Sequence, residues 1–318
     1  MRVLINGSSG QIGTNLALKL QNEGHSVFGI DIRQKTWTDK INTLLQELST
    51  PYQTYEHGIG HVEYPNDFHI VVHLAAHAKV HEFVEQPDRA LENITMAYNV
   101  LEYCRHHNTP LIFSSSREVY GDIHRYITEE SHDDFAFTAP PYSASKILGE
   151  ALVYSYAQSY SLPYMVFRFS NVYGRLDNDI DRMKRVIPLL IKWNYQGDFI
   201  TVFEQDKVLD FTYLDDCVIG IVSGIDVLAS GADKNHTINL AFGEGRSLVD
   251  MANYVDESLN IRPNITIEPS PVGEVTHNVA KIAKAKSILN YNPSAPLKDG
   301  IAKSIDWSKT FAKEQGQS

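Results

Sequence analysis

Cysteine is nearly absent. Cys104 and Cys217 are the only two in 318 residues, far apart and without the paired spacing of a metal site. A disulfide scaffold and a zinc ribbon are excluded, and a reducing, cytoplasmic setting is expected. Positive charge is also short: 28 Lys and Arg stand against 39 Asp and Glu, a formal net charge of -11. That balance argues against non-specific partnership with nucleic acid or an anionic membrane surface. A polyanionic ligand would then rely on helix N-termini or a few placed cations. No apolar run approaches the roughly 20 residues of a membrane span, and the opening MRVLINGSSG reads as a strand and turn, not a signal peptide. Internal repeats and low-complexity segments are missing as well.

What is present alternates. Arg2–Asn6 is a short β-branched strand broken at Gly7, Gln11–Glu23 has helical periodicity ending at Gly24, and Ser26–Ile30 is a second strand. Lys40–Leu48 is expected as helix, Tyr52–Glu56 as a short strand and Phe68–Leu74 as a buried parallel strand. A long helix is expected over Pro87–His107, a strand at Pro110–Ser114, a helix at Tyr142–Tyr160 and a sixth strand at Pro163–Phe169. Such alternation belongs to parallel α/β sheets. After about residue 171 the regularity weakens, with helices near Met183–Tyr195, Asp215–Leu228, Ser247–Leu259 and Ala280–Leu289. We expect one domain over 1–170 and a smaller α+β lobe over 171–318, some of whose segments return to the first.

Two motifs carry chemistry. Gly7-Ser-Ser-Gly10-Gln11-Ile12-Gly13 follows a strand and opens a helix, the arrangement that brings backbone close to a pyrophosphate at a helix N-terminus. Asp31 ends the second strand 18 residues after Gly13, where a carboxylate bonds the ribose hydroxyls of NAD and repels a 2′-phosphate. Arg33 nearby is the residue that favours NADP instead. Second, Tyr142-Ser-Ala-Ser-Lys146 places a phenol and an ammonium one helical turn apart, 26 residues after Ser116. There the lysine is expected to lower the tyrosine's pKa so that it acts as an acid/base near neutral pH. His69, His73, His77 and His81 recur every four residues. The first two fall in a strand, however, so no single stripe forms and no metal is expected.

The order and spacing of these motifs resemble the extended short-chain dehydrogenase/reductases, in particular the NAD-dependent nucleotide-sugar epimerase/dehydratase family. His73-Leu74-Ala75-Ala76, Asn93, Ser114-Ser-Ser-Arg-Glu-Val-Tyr-Gly121, Arg168-Phe-Ser170-Asn171-Val-Tyr-Gly174, Asp210-Phe-Thr-Tyr-Leu-Asp-Asp216 and Gly273-Glu-Val-Thr-His277 carry the resemblance further. It implies a Rossmann-type doubly wound sheet and NAD held by Gly7, Gly10, Gln11, Ile12, Gly13, Asp31, Ile32, Leu74, Ala75, Ala76, Asn93, Ser114, Tyr142, Lys146 and Ser170. It implies catalysis by Ser116, Tyr142 and Lys146 with Glu118 as a further candidate. Ser116, Arg117, Asn171 and His77 would meet a nucleotide sugar, and two long helices would pair in a homodimer.

Three features depart from the family pattern. Arg117 stands where the 4,6-dehydratases of the family carry an aspartic acid, and a guanidinium cannot donate that proton. Leu209 stands where an arginine usually clamps the pyrophosphate, and Pro271 and Val272 precede Gly273 without one. His57-Gly-Ile-Gly60 stands where an adenine-binding aspartate is expected. The leading reading is a 4-epimerase. A dehydratase or decarboxylase using Glu118, a dehydrogenase of a non-nucleotide substrate and a non-enzymatic dinucleotide sensor stay open.

Overall fold

A computed structural model describes residues 1–33, 40–49, 67–80, 82–121, 127–128, 140–177, 185–196, 200–203, 206–260, 265–268 and 277–314. The expected strand at Tyr52–Glu56, His57–Gly60, His81 and the stretch 271–276 lie outside them.

Seven strands form one sheet. They are β1 (Arg2–Asn6), β2 (Ser26–Asp31), β3 (Asn42–Leu45), β4 (Ile70–His73), β5 (Leu111–Ser116), β7 (Tyr164–Phe169) and β11 (His236–Leu240), with β6 (Ile127–Thr128), β8 (Asn171–Tyr173), β9 (Ile200–Phe203) and β10 (Val208–Tyr213) belonging elsewhere. Their spatial order is β11-β7-β5-β4-β1-β2-β3, and every pairing is parallel. The order reverses between β1 and β4. In an open α/β sheet the carboxyl ends at such a point form the ligand crevice.

The helices on this sheet are α1 (Gln11–Asn22), the short α2 (Glu82–Glu85), α3 (Arg89–His107) and α4 (Pro141–Tyr160). Alternate strand residues reach opposite faces, as period-2 geometry requires. Val3 and Ile5 pack with Leu16 and Leu20 of α1, whereas Leu4 packs with Val100 of α3 and Val153 of α4. Each fully buried aliphatic side chain contributes about 1.5–3 kcal/mol, so the two faces fix the strand register. Pro141 starts α4 where a missing N–H costs nothing.

The segment Lys40–Leu48, expected as helix, is a strand. Asn42–Leu45 lies along the edge beside β2, in register from Phe28↔Asn42 to Asp31↔Leu45. Its apolar spacing suits a helix, but the free edge of β2 supplies hydrogen-bond partners that an isolated turn of helix lacks. Tertiary context therefore overrides local periodicity.

The second sheet runs β12-β10-β14-β6, with β8 (Asn171–Tyr173) beside β10 (Val208–Tyr213), and β9 (Ile200–Phe203) pairs with β13 (Ile265–Glu268). Here β12 is Gly245–Ser247 and β14 is His277–Ala280. Helices α5 (Val186–Gln196), α7 (Leu248–Leu259) and α9 (Leu297–Glu314) bury Leu190, Met251, Val255 and Ile301 against it. A capping box of Ser247 and Asp250 opens α7. Two other helices return to the first sheet: α6 (Leu214–Ser230) places Cys217 and Ile221, and α8 (Ala283–Leu289) places Ala285 and Leu289, in the core shared with β1.

Candidate active site

The crevice begins at the glycine turn. Gly7 has φ +86°, and a Cβ there would lie 2.7 Å from the Ala75 nitrogen. A Cβ on Gly13 would lie 2.1 Å from the Gly7 carbonyl oxygen. The start of α1, the turn and the end of β4 thus touch through backbone, which explains glycine at both positions. Asp31 is buried at the end of β2 and stands over this turn. Its Oδ2 accepts the Ser9 N–H at 2.9 Å and its Oδ1 the Arg33 N–H at 2.9 Å, with Arg33 Nε 3.6 Å away. Ile32, next to it, is exposed. These features fit NAD: a backbone cradle that side chains would fill, and an oriented carboxylate at the edge.

Gln11 does more than line the turn. Its Nε2 donates to the carbonyls of Gly174 and Arg175 at 3.1 and 3.2 Å, and its Oε1 accepts from Arg185 at 2.7 Å. Arg185 also holds Asp177 at 2.5 Å. The side chain of Gln11 therefore ties the turn to the segment after β8.

Farther along the sheet edge, α4 presents Tyr142, Lys146 and Glu150 at successive turns. Tyr142 is buried with Phe83 edge-on at 5.3 Å, and the Ser116 hydroxyl hydrogen-bonds its phenol. Burial pushes this phenol up to about 12, against the pull of the Ser116 hydroxyl. The Tyr142–Lys146 spacing predicts the opposite, a phenol brought down by the lysine. Instead Lys146 Nζ donates to the Ser114 carbonyl at 2.9 Å and lies 6.0 Å from the tyrosine ring centroid, so burial dominates. Lys146 is itself lowered to about 8 by burial, with Glu150 opposing the shift. Nearby His73 is buried against the Phe113 ring, and burial, with Lys146 second, lowers it to about 3, so its imidazole is neutral.

Glu150 was not singled out from sequence, although it lies four residues beyond Lys146. Its carboxylate accepts Ser115 Oγ at 2.5 Å, Tyr154 Oη at 2.7 Å, and Arg168 in a two-point pair at 2.9 and 2.7 Å. Arg168 also stacks over Tyr120 at 4.8 Å. This buried network fixes the end of β5 against α4 and β7.

Other expected residues also make contacts within the protein. Asn93 clamps the His77 backbone, accepting its N–H at 2.8 Å and donating to its carbonyl at 3.1 Å. The His77 imidazole pairs with Glu92 at 2.5 Å. Ser170 Oγ sits 2.6 Å from Thr212 Oγ1, and Asn171 Nδ2 donates to the Asp210 carbonyl at 2.8 Å. Leu209, in place of an arginine, packs into the core of the second sheet. The Tyr156 hydroxyl donates to Glu102 of α3 at 2.7 Å. Arg117 and Glu118 form an ion pair at 2.8 Å beside Tyr142. Among the described residues no His, Cys, Asp and Glu cluster could hold a metal.

Known proteins resemble the chain over nearly its whole length. The chain is 28% identical over 316 residues to an uncharacterized UDP-glucose epimerase of Bacillus subtilis, covering 96% of this chain and 97% of the relative. It is 27% identical to a UDP-glucuronate 4-epimerase of Thermodesulfobacterium geofontis, with 96% and 95% covered. Its fold matches a Thermotoga maritima UDP-glucose 4-epimerase solved with UDP-glucose at TM-score 0.85 and 22% identity, over 98% of this chain and 99% of that one. A Bacillus cereus UDP-glucuronic acid 4-epimerase solved with UDP-glucuronic acid and NAD matches at TM-score 0.81 and 25% identity, over 98% and 100%. The model of the NAD dependent epimerase/dehydratase family matches residues 3–241. With the glycine turn, Asp31 and the Ser116–Tyr142–Lys146 group in place, the chain belongs to the NAD-dependent epimerase/dehydratase family.

Proposed function

We propose that this enzyme is an NAD-dependent nucleotide-sugar 4-epimerase. The observation that carries the reading is the hydrogen-bonded Ser116–Tyr142 pair beside Lys146, at the crevice end of β5. The relatives named as UDP-sugar 4-epimerases support it. NAD⁺ supplies the hydride acceptor. Tyr142 takes the proton of the sugar 4-hydroxyl, for which its phenol, held up by burial, needs the positive charge that bound NAD⁺ would bring beside Lys146, and Ser116 donates a hydrogen bond to the same oxygen. The hydride lost from C4 would pass to NAD⁺ and return to the other face of the resulting 4-ketone, with Tyr142 giving the proton back to the oxygen. Asp31 and the turn Gly7–Gly13 hold the dinucleotide. Ser114, Ser170 and the Leu74–Ala76 backbone would help to hold it, and Asn171 and His77 would meet the sugar.

The alternative is a lyase in which Glu118 removes a ring proton, and its nearness to Tyr142 is the observation in its favour. Its ion pair with Arg117 favours the epimerase. A panel of nucleotide sugars incubated in heavy water separates them. We expect a C4 epimer of unchanged mass with no deuterium on carbon, and a loss below about tenfold for Glu118→Gln. Release of water or carbon dioxide, or a roughly 10²–10⁴-fold defect in that variant, would replace this reading with the lyase.

A further inference from the structure

The proposed epimerisation does not need Glu118, yet its carboxylate lies at the reacting end of the site. It rides the 3-10 turn Arg117–Tyr120 that follows Ser116. Its N–H donates to Ser116 Oγ at 3.2 Å, and its charge bears directly on the Tyr142 phenol. A ketone at sugar C4 makes the hydrogen on C5 acidic. A carboxylate in that place is a competing base, able to draw the intermediate into exchange or elimination.

Arg117 stands in the way. Its Nη2 lies 2.8 Å from Glu118 Oε1, and the two side chains are only 16% and 12% exposed. Its Nη1 is buried and meets no acceptor among the described residues, and its charge, like that of Glu118, bears on the Tyr142 phenol, so the contact that holds the guanidinium is the one to Glu118. Charge-assisted pairs shielded from water are the strong ones, so the Glu118 carboxylate is held toward Arg117 and away from a bound sugar. An always-charged guanidinium has no proton to give a leaving hydroxyl either.

We propose that Arg117 is a positioning residue that occupies Glu118 as an ion pair and so protects the 4-keto intermediate from deprotonation at C5. The inference rests on the epimerase reading. Without the pair, the C5–H electrons pass into the enolate of the C4 ketone and the proton moves to the Glu118 carboxylate. There it exchanges with solvent, and a solvent proton returns to C5. No oxidant is needed beyond the NAD⁺ that made the ketone.

The test is epimerisation in heavy water by the full-length enzyme with bound NAD, read by NMR as deuterium at C5 per C4 epimerisation. Arg117→Met is expected to raise this ratio at least about tenfold over wild type. Arg117→Lys, which keeps a cation, should stay near the wild-type ratio, and the double variant R117M/E118Q should return to it. Arg117→Gln, polar and of similar reach, serves as a second neutral variant if methionine disturbs folding. A neutral variant that epimerises without C5 deuterium, or a double variant that keeps the deuterium, overturns the inference alone. A wild-type enzyme that forms no C4 epimer across the panel overturns the epimerase reading, and this inference with it.

Discussion

Tyr142 carries the proposed reaction through one oxygen, so removing that atom is the sharpest test of its role. Tyr142→Phe keeps the ring packed on Phe83 and leaves the glycine turn untouched. NAD should bind with unchanged affinity while turnover falls roughly 10²–10⁴-fold; near-normal turnover would show that another group moves the proton. Asp31 sets a second expectation. Two backbone N–H groups hold its carboxylate in place, so a 2′-phosphate would have to approach a fixed negative charge. NAD(H) should bind at least about tenfold more tightly than NADP(H), one such step being about 1.4 kcal/mol. Equal affinities by calorimetry would mean that Arg33, not Asp31, governs the choice.

At the scale of the element, β10 depends on one buried carboxylate. Asp210 accepts the N–H groups of Phe242 at 3.1 Å, Gly243 at 2.9 Å and Ala280 at 3.3 Å. It thereby joins β10 to the loop after β11 and to β14. Burial lifts it to about 6 against those hydrogen bonds. A carboxyl raised in this way contributes stability that is full below its ordinary value of about 4 and is lost as pH rises through about 6. Asp210→Asn places an amide nitrogen against at least one of these donors, at a cost of about 1–3 kcal/mol. We expect a lower Tm for the variant, with the wild-type advantage largest near pH 4 and shrinking toward pH 7. An advantage that grew with pH would reverse the assigned cause.

What the sequence disclosed follows the range of each interaction. The glycine turn and the Tyr142–Lys146 step are local geometry, so spacing alone revealed them. Asp210, Arg185 and the Glu150–Arg168 pair acquire meaning only once a helix lies on particular strands. Lys40–Leu48 misled for the same reason, since the edge of β2 is invisible in its own periodicity. The phenol of Tyr142 was expected low because a lysine is near in sequence, whereas burial, a property of the whole fold, governs it here.

For the whole molecule, α3 and α4 pack on each other yet leave Leu91 67% and Leu148 49% exposed. Exposed apolar side chains on neighbouring long helices are suited to meeting a second copy of the same surface. Leu91→Glu or Leu148→Glu should convert a dimer to a monomer in sedimentation without disturbing the isolated fold. A wild-type chain that sediments as a monomer would end the homodimer proposal.

The strand at the far edge of the main sheet arrives late. β11 pairs with β7 from His236↔Met165 to Leu240↔Phe169, and Leu289 and Tyr291 still enter the core around β1. During synthesis the first sheet must therefore wait for Leu240 and the core around β1 for Tyr291, with β8, β9 and β10 emerging before β11 can take its place. The two halves mature together rather than in turn, and the unfinished edge of β7 is the surface a nascent chain must keep from pairing with a neighbour.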